Sequence, residues 1–261
     1  MILVAQVSDT HFDLGARNAE RAARVLAHLA GLRQPPAAIV HTGDITDAGK
    51  PEQYAQAARA LRTDLPLVVA AGNHDDRAAL RADLLGTRPS DDPLNQVHRI
   101  GELTVVVLDS TIPGEPGGGL SADTYAWLRA TLADGDGPVL LALHHPPVRL
   151  HSPVVDAIAL ADPAPLAAIV AGSDRVAGVL AGHAHSPIAA QFAGKPLVVG
   201  PSTASVLRGA WELEAPDHVM DYAPDPGYAL HVVDRAEDGT YRLVTHFRTV
   251  PAGGRVSVQP D

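Results

Sequence analysis

Five times in this chain a short, strongly apolar run ends in a burst of carboxylate, imidazole or amide side chains. The bursts are Asp9-Thr10-His11, Gly43-Asp44, Gly72-Asn73-His74-Asp75, His144-His145 and Gly182-His183-Ala184-His185. The runs before them, such as Ile2-Leu3-Val4-Ala5 and Val139-Leu140-Leu141-Ala142, read as buried strands. Open α/β sheets bind ligands beyond the carboxyl ends of their strands, so these polar side chains can converge on one site.

Between the runs the pattern changes to helical spacing. Residues 18–32 carry Ala22, Val25, Leu26, Leu29 and Leu32 on one face, and Pro35-Pro36 stops them. A second helix follows Lys50 with Pro51 in its first turn and runs over 52–62. A third is expected at about 76–85, a fourth after the N-cap candidate Ser121 through Trp127, Leu128 and Leu132, and a short one at 165–171. Strands are expected at 37–40, 67–70, 96–100, 103–109, 138–143 and 176–180, with 187–193, 196–200, 228–233 and 241–249 in a strand-rich second half. Residues 111–119, with two prolines and four glycines, read as a loop, as do 146–162 and the Pro-, Asp- and Glu-rich stretch 211–227. Strand-helix alternation followed by short strands implies an α/β fold of two mixed sheets packed face to face with helices outside. Its 261 residues are read as one domain, 1–261.

The formal net charge of −10 argues against a nonspecific grip on nucleic-acid backbone, which needs a basic surface. No stable nucleic-acid binding is expected. A chain with no cysteine has no disulfide, thiolate nucleophile or Cys-type metal site. Such a chain is compatible with a reducing environment, and a cytoplasmic location is the expectation. The first residues read as a strand rather than a signal peptide, and no apolar run approaches the roughly 18 residues of a membrane span.

Asp9 and Asp44, the imidazoles of His11, His144, His183 and His185, and the amide oxygen of Asn73 would furnish two neighbouring cation sites. Oxygen and nitrogen donors without thiolate suit Fe, Mn, Zn or Co, and the imidazoles argue against Ca or Mg. Two divalent ions outweigh two carboxylates, which leaves positive charge for a bridging hydroxide and an anionic phosphate. Ions roughly 3.5–4 Å apart clamp a phosphoryl group in this way. Asp44 is best placed to bridge them. His74 cannot easily share an ion with its neighbour Asn73, so it is free to contact a phosphate oxygen or protonate the leaving alkoxide.

The ordered set Asp-x-His, Gly-Asp, Gly-Asn-His-Asp, His and Gly-His-x-His resembles the calcineurin-like metallophosphoesterases from Asp9 to His185. The surrounding residues are similar to the class III cyclic nucleotide phosphodiesterases: Thr42-Gly43-Asp44-Ile45-Thr46-Asp47, Gly72-Asn73-His74-Asp75-Asp76-Arg77, Leu143-His144-His145-Pro146-Pro147 and Gly200-Pro201-Ser202-Thr203-Ala204. That resemblance implies a four-layer α/β/β/α sandwich. It implies Asp9, His11 and His185 on one ion, Asn73, His144 and His183 on the other, Asp44 shared, and a homodimer. It further implies hydrolysis of small phosphodiesters, most of all 3′,5′- or 2′,3′-cyclic nucleotides, by in-line attack of a metal-bridging hydroxide. A glycerophosphodiester or broad-specificity phosphoester hydrolase is the close alternative. A metal-free protein-binding scaffold is the alternative of another class, and it predicts missing ligands where every position here is filled.

Departures from sister families narrow the likeness. Where Ser/Thr protein phosphatases carry Asp-Arg-Gly and Gly-Asn-His-Glu, this chain has Asp47-Ala48-Gly49 and ends the second motif in Asp75. Purple acid phosphatases place a Tyr ligand three positions after the bridging Asp, where Asp47 stands. In the His144-His145 pair the His-x-Pro pattern favours His144 as the ligand and leaves His145 to packing or support. Asp75 is read as orienting His74 or the loop. Asp109 is read either as orienting a ligand or as a turn carboxylate. His28, His41, His98, His151, His218, His231 and His246 are read as solvated or structural, with only His41 near the site. The glycines 117–119 lack the following Lys-Ser/Thr of a phosphate-binding loop.

Overall fold

A computed structural model describes residues 1–212 and 220–252. In chain order the elements begin β1 (Ile2–Val7), α1 (Ala16–Ala30), β2 (Ala38–His41), α2 (Pro51–Ala60), β3 (Leu67–Val69) and α3 (Arg77–Ala79). They continue with β4 (Gln96–Ile100), β5 (Leu103–Val107), β6 (Thr111–Ile112), β7 (Glu115–Gly118), α4 (Ala122–Ala133) and β8 (Val139–Ala142). Then come α5 (Pro153–Asp156), α6 (Ala164–Ala171), β9 (Val176–Ala181), β10 (Ile188–Phe192) and β11 (Lys195–Val199). The last are β12 (Val206–Leu207), β13 (Met220–Asp221), β14 (Gly227–Arg235) and β15 (Tyr241–Thr249).

One sheet has the order β15-β14-β1-β2-β3 and the other β10-β11-β9-β8-β5-β4. The strands β1, β2 and β3 run parallel, as do β11, β9, β8 and β5, while the outer strands pair antiparallel. Alternation along each strand sorts its side chains between two layers. In β1, Val4 faces the other sheet, packing with Val40, Val105, Val107 and Leu140, whereas Ala5 and Val7 face α1 and α2. In β8, Leu140 and Ala142 fill the space between the sheets, and Val139 and Leu141 pack against Leu128 of α4 and Leu166 and Val170 of α6. Three apolar layers thus separate four structural layers, the α/β/β/α sandwich expected from the sequence. Each fully buried Val or Leu in them contributes about 1.5–3 kcal/mol.

Local signals set the starts of α2 and α4. Ser121 Oγ accepts from Thr124 N at 3.1 Å to cap α4, and Gln53 Oε1 accepts from Ala48 N at 3.0 Å at the start of α2. The single helix expected at about 76–85 is instead α3 followed by a π-helical turn over Leu80–Leu84, because Leu85 N bonds back to Leu80 O. The expected loop at 111–119 contains the hairpin β6–β7, and the stretch 146–162 holds α5. Of the stretch 211–227, residues 213–219 lie outside the described residues, and His218 with them. Among the described residues no helix is long and apolar enough to cross a membrane.

Candidate metal centre

Every candidate residue leaves the carboxyl end of a strand. Asp9 and His11 follow β1, Asp44 follows β2, Asn73 and His74 follow β3, His144 follows β8, and His183 and His185 follow β9. The two sheets open at a common edge there, so residues far apart in sequence meet. To turn inward, Asp9 (φ 51°), His11 (43°), Asp44 (52°), His183 (69°) and His185 (53°) all adopt left-handed backbone. That conformation costs a non-glycine residue roughly 1–2 kcal/mol and persists where the surroundings over-determine it. Close approach also fixes two glycines: a Cβ on Gly72 would fall on the Asp44 carboxylate, and one on Gly43 (φ 98°) on the His144 ring.

Two clusters result. In the first, His11 Nε2 lies 3.1 Å from His185 Nε2 and 3.5 Å from Asp44 Oδ2, and His185 Nε2 lies 3.6 Å from Asp9 Oδ1. In the second, His144 Nε2 lies 3.1 Å from Asn73 Oδ1, 3.1 Å from His183 Nδ1 and 3.3 Å from Asp44 Oδ2. A single oxygen, Asp44 Oδ2, therefore stands between both.

Imidazole tautomers follow from what holds the nitrogen facing away. His144 Nδ1–H donates to Thr42 O at 2.8 Å, which turns the Nε2 lone pair toward Asn73, Asp44 and His183. His185 Nδ1 pairs with Ser205 Oγ at 2.9 Å and His11 Nδ1 with Asp47 Oδ1 at 3.3 Å. Nitrogen lone pairs that face one another at 3.1 Å suit a shared cation. Asp9 Oδ2 supplies a second indication, being buried without a hydrogen-bond partner. Carboxylate, imidazole and amide donors without thiolate fit the harder and borderline first-row metals. The residues present fit a pair of cations.

Electrostatics points the same way. Burial opposes a proton on His144, yet the adjacent Asp44 carboxylate holds the imidazole up at about 9. Burial also works against charge on Asp44, but His144 and His11 hold its carboxyl well below the usual range. Burial pushes Asp9 up to about 6, and burial with His144 nearby pushes His183 down to about 3. A site that asks this strongly for positive charge beside Asp44 is one a metal ion satisfies.

His145 lies near His144 and His183, but both its nitrogens are engaged elsewhere. Nδ1 pairs with Ser110 Oγ at 2.8 Å, Nε2 with Pro116 O at 3.2 Å, and the ring packs on Gly118. Next to Asp44, His74 N donates to Asp44 Oδ1 at 3.0 Å, and its Nδ1–H donates to Asp47 O at 2.8 Å. Nε2 is the ring nitrogen left over, on a side chain that lines a cleft of ≈ 450 Å³ with Asn73, Arg77, Asp91, Thr111 and Ile112. Asp75 ties two of the strand-end loops together. Its carboxylate accepts from Gly72 N at 2.9 Å and from Ile45 N, Thr46 N, Thr46 Oγ1 and Tyr54 OH, each at 3.1 Å.

Other residues stand apart from the chemistry. Asp109 is a structural carboxylate, 2.8 Å from Arg77 Nε and accepting from Leu94 N and Thr111 N at 2.7 and 2.9 Å. Buried His41 bonds Thr10 Oγ1 at 3.1 Å, and buried His231 bonds Gln6 Oε1 and Thr245 Oγ1. Asp47 and Ser205 support the ligating face of the site but were absent from the sequence-derived ligand set. Asp47 was visible three residues after Asp44, and Ser205 directly follows the family-like stretch Gly200-Pro201-Ser202-Thr203-Ala204.

A family model described as calcineurin-like phosphoesterase matches residues 2–187. The chain is 40% identical over 190 residues to a probable cyclic nucleotide phosphodiesterase of Rhodococcus erythropolis, covering 70% of this chain and 62% of that one. It is 38% identical over 217 residues to a cAMP/cGMP dual specificity phosphodiesterase of Mycobacterium tuberculosis, covering 77% and 67%. A glycerophosphodiester phosphodiesterase of Enterobacter lignolyticus is 34% identical over 220 residues, covering 77% of each. In fold this chain is similar to a dimetal phosphatase from Danio rerio, with TM-score 0.64, 15% identity and coverage of 96% of this chain and 99% of that one. With its strand-end Asp and His clusters and this match over most of its length, the chain belongs to the calcineurin-like phosphoesterase family.

Proposed function

We propose that the chain is a dinuclear metal-dependent phosphodiesterase of small diesters, with cyclic nucleotides as the foremost substrates. The observation that carries this is Asp44 Oδ2, 3.5 Å from His11 Nε2 and 3.3 Å from His144 Nε2, a carboxylate oxygen set between two donor clusters. Asp9, His11 and His185 would hold one cation and Asn73, His144 and His183 the other, with Asp44 shared. Bound there, two cations supply Lewis acidity toward the phosphoryl oxygens and a nucleophile near neutral pH.

The chain's own residues supply the rest. Asp47 O holds His74 Nδ1–H at 2.8 Å, so Nε2 can meet a phosphate oxygen or carry a proton to the leaving alkoxide. Asp75 keeps the Asp44 and Asn73 loops in register through its five accepted hydrogen bonds. The same reading takes residues 1–261 as one catalytic domain, cytoplasmic, with cations drawn from Fe, Mn, Zn or Co. The relatives named as cyclic nucleotide diesterases favour that substrate class, and the glycerophosphodiester diesterase supports the second reading.

The test is a panel of 3′,5′- and 2′,3′-cyclic nucleotides, glycerophosphodiesters and monoesters, run on protein reconstituted separately with Mn, Fe, Zn and Co. Highest kcat/KM on a cyclic nucleotide is expected, and preference for monoesters would refute the reading. On diesters with an unactivated leaving group, His74→Ala is expected to lose roughly 10²-fold or more in kcat with both cations retained.

A further inference from the structure

Two segments that leave the candidate metal centre meet again through the arginines of α1. One runs from His11 past Leu14, which is 56% exposed with φ 74°, into Arg17 and Arg21 of α1. The other, described over 203–212 and 220–224, holds Ser205, the partner of His185, the β12–β13 pair and Tyr222. Two arginines of α1 clamp this second segment by its backbone. Arg21 donates to Thr203 O and to Pro224 O, both at 2.6 Å, and Arg17 donates to Tyr222 O. Arg17 also donates to Asn18 Oδ1 at 2.8 Å, and Asn18 Nδ2 donates to His11 O at 2.7 Å. Tyr222 is therefore two side chains away from a candidate ligand loop.

The clamp takes hold of carbonyls, so it would accept almost any residue at position 222. A phenol ring is not needed for it. Yet Tyr222 is 59% exposed, with the Arg17 guanidinium carbon 5.3 Å from its ring centroid. A flat ring with a cation near it and most of its surface open is suited to one kind of ligand group, another flat π-system.

We propose that Tyr222 is the stacking platform for the heteroaromatic base of a nucleotide whose phosphate sits over Asp9, His11 and Asp44. This rests on the diesterase reading and gives it a determinant of substrate choice. Arg17 lies against the ring, and the Arg17–Asn18–His11 chain ties it to the loop that carries His11. Base-on-aromatic stacking tolerates any base because every base has a π-face, so the platform selects nucleotides over glycerol esters without selecting adenine over guanine.

The experiment compares wild type, Tyr222→Ala and Tyr222→Phe as metal-loaded full chains. The ratio of kcat/KM for 3′,5′-cAMP to that for glycerophosphoethanolamine is expected to fall about tenfold in Tyr222→Ala, through KM for cAMP, and to survive in Tyr222→Phe. An unchanged ratio in Tyr222→Ala, or an equal loss in Tyr222→Phe, overturns the platform. Equilibrium binding of AMP to the same proteins separates this claim from the diesterase reading. If the wild type fails to turn over cAMP but AMP binding weakens about tenfold in Tyr222→Ala, the diesterase reading falls and the platform stands. If Tyr222→Ala binds AMP as the wild type does, or neither binds it, the platform falls whatever the turnover.

Discussion

Around His144 the supporting partner is a backbone carbonyl, Thr42 O, and the imidazole is 0% exposed. Around His11 and His185 the supporting partners are side chains, Asp47 and Ser205, and the Asp47 side chain is 53% exposed. His144 is thus held by the fold itself, and His11 and His185 by replaceable groups. Backbone support cannot be lost by mutation without losing the loop, whereas side-chain support can be removed atom by atom. The His11 half is accordingly expected to be the one that releases its cation more readily.

The most severe way to break that comparison is to remove what the halves share. Asp44→Ala is expected to take metal content from two per chain toward zero and to cost about 10³-fold or more in turnover, the scale of losing one preorganised charge-stabilising group. Elemental analysis showing two retained cations would refute a shared role for Asp44. A narrower cut separates neighbours within the buried half. His144→Ala is expected to lose one cation and His145→Ala none, since His145 spends both nitrogens on Ser110 and Pro116. Equal metal loss in the two variants would undo the assignment of His144 over His145. The mildest substitutions sharpen the contrast itself. Asp47→Ala and Ser205→Ala are each expected to weaken one cation 10–100-fold, as removal of an outer partner of a ligating His does, while the other cation is unaffected. Calorimetric metal titration reads both steps, and equal weakening of the two would erase the distinction between the halves.

The layers and the strand ends were legible because they rest on local rules. Apolar runs such as 139–142 are short and fully buried in the structure, and period-3.6 spacing in α1 places Ala22, Val25, Leu26 and Leu29 on its buried face. Within each sheet the convergence of the candidate ligands was legible from strand polarity, since parallel strands deliver their carboxyl ends to one edge, whereas the meeting of Asp9, Asp44 and Asn73 with His144, His183 and His185 joins the ends of two sheets. What stayed hidden depends on tertiary neighbours. Nothing near Leu80 announces a π-helical turn, and the Pro- and Gly-rich stretch from Thr111 closes into a hairpin whose Gly118 receives the His145 ring. Ser205 meets His185 across 20 residues, a pairing no local pattern marks. Asp109 left two readings open, and Arg77 decided between them by reaching it from α3.

The β6–β7 hairpin is fastened at its root. His145 Nε2 takes Pro116 O, Gly119 N bonds Ser110 O, and Arg77 Nη2 bonds Thr111 O, whereas Pro113 and Gly114 at the tip line the cleft beside His74. A tip that borders the cleft but carries no ligand can be lengthened, shortened or recharged while the cations keep their seats. The residues at the mouth of the cleft and those of its floor are therefore separate sets, so a change at Pro113 or Gly114 can alter what enters without touching Asp44 or the histidines.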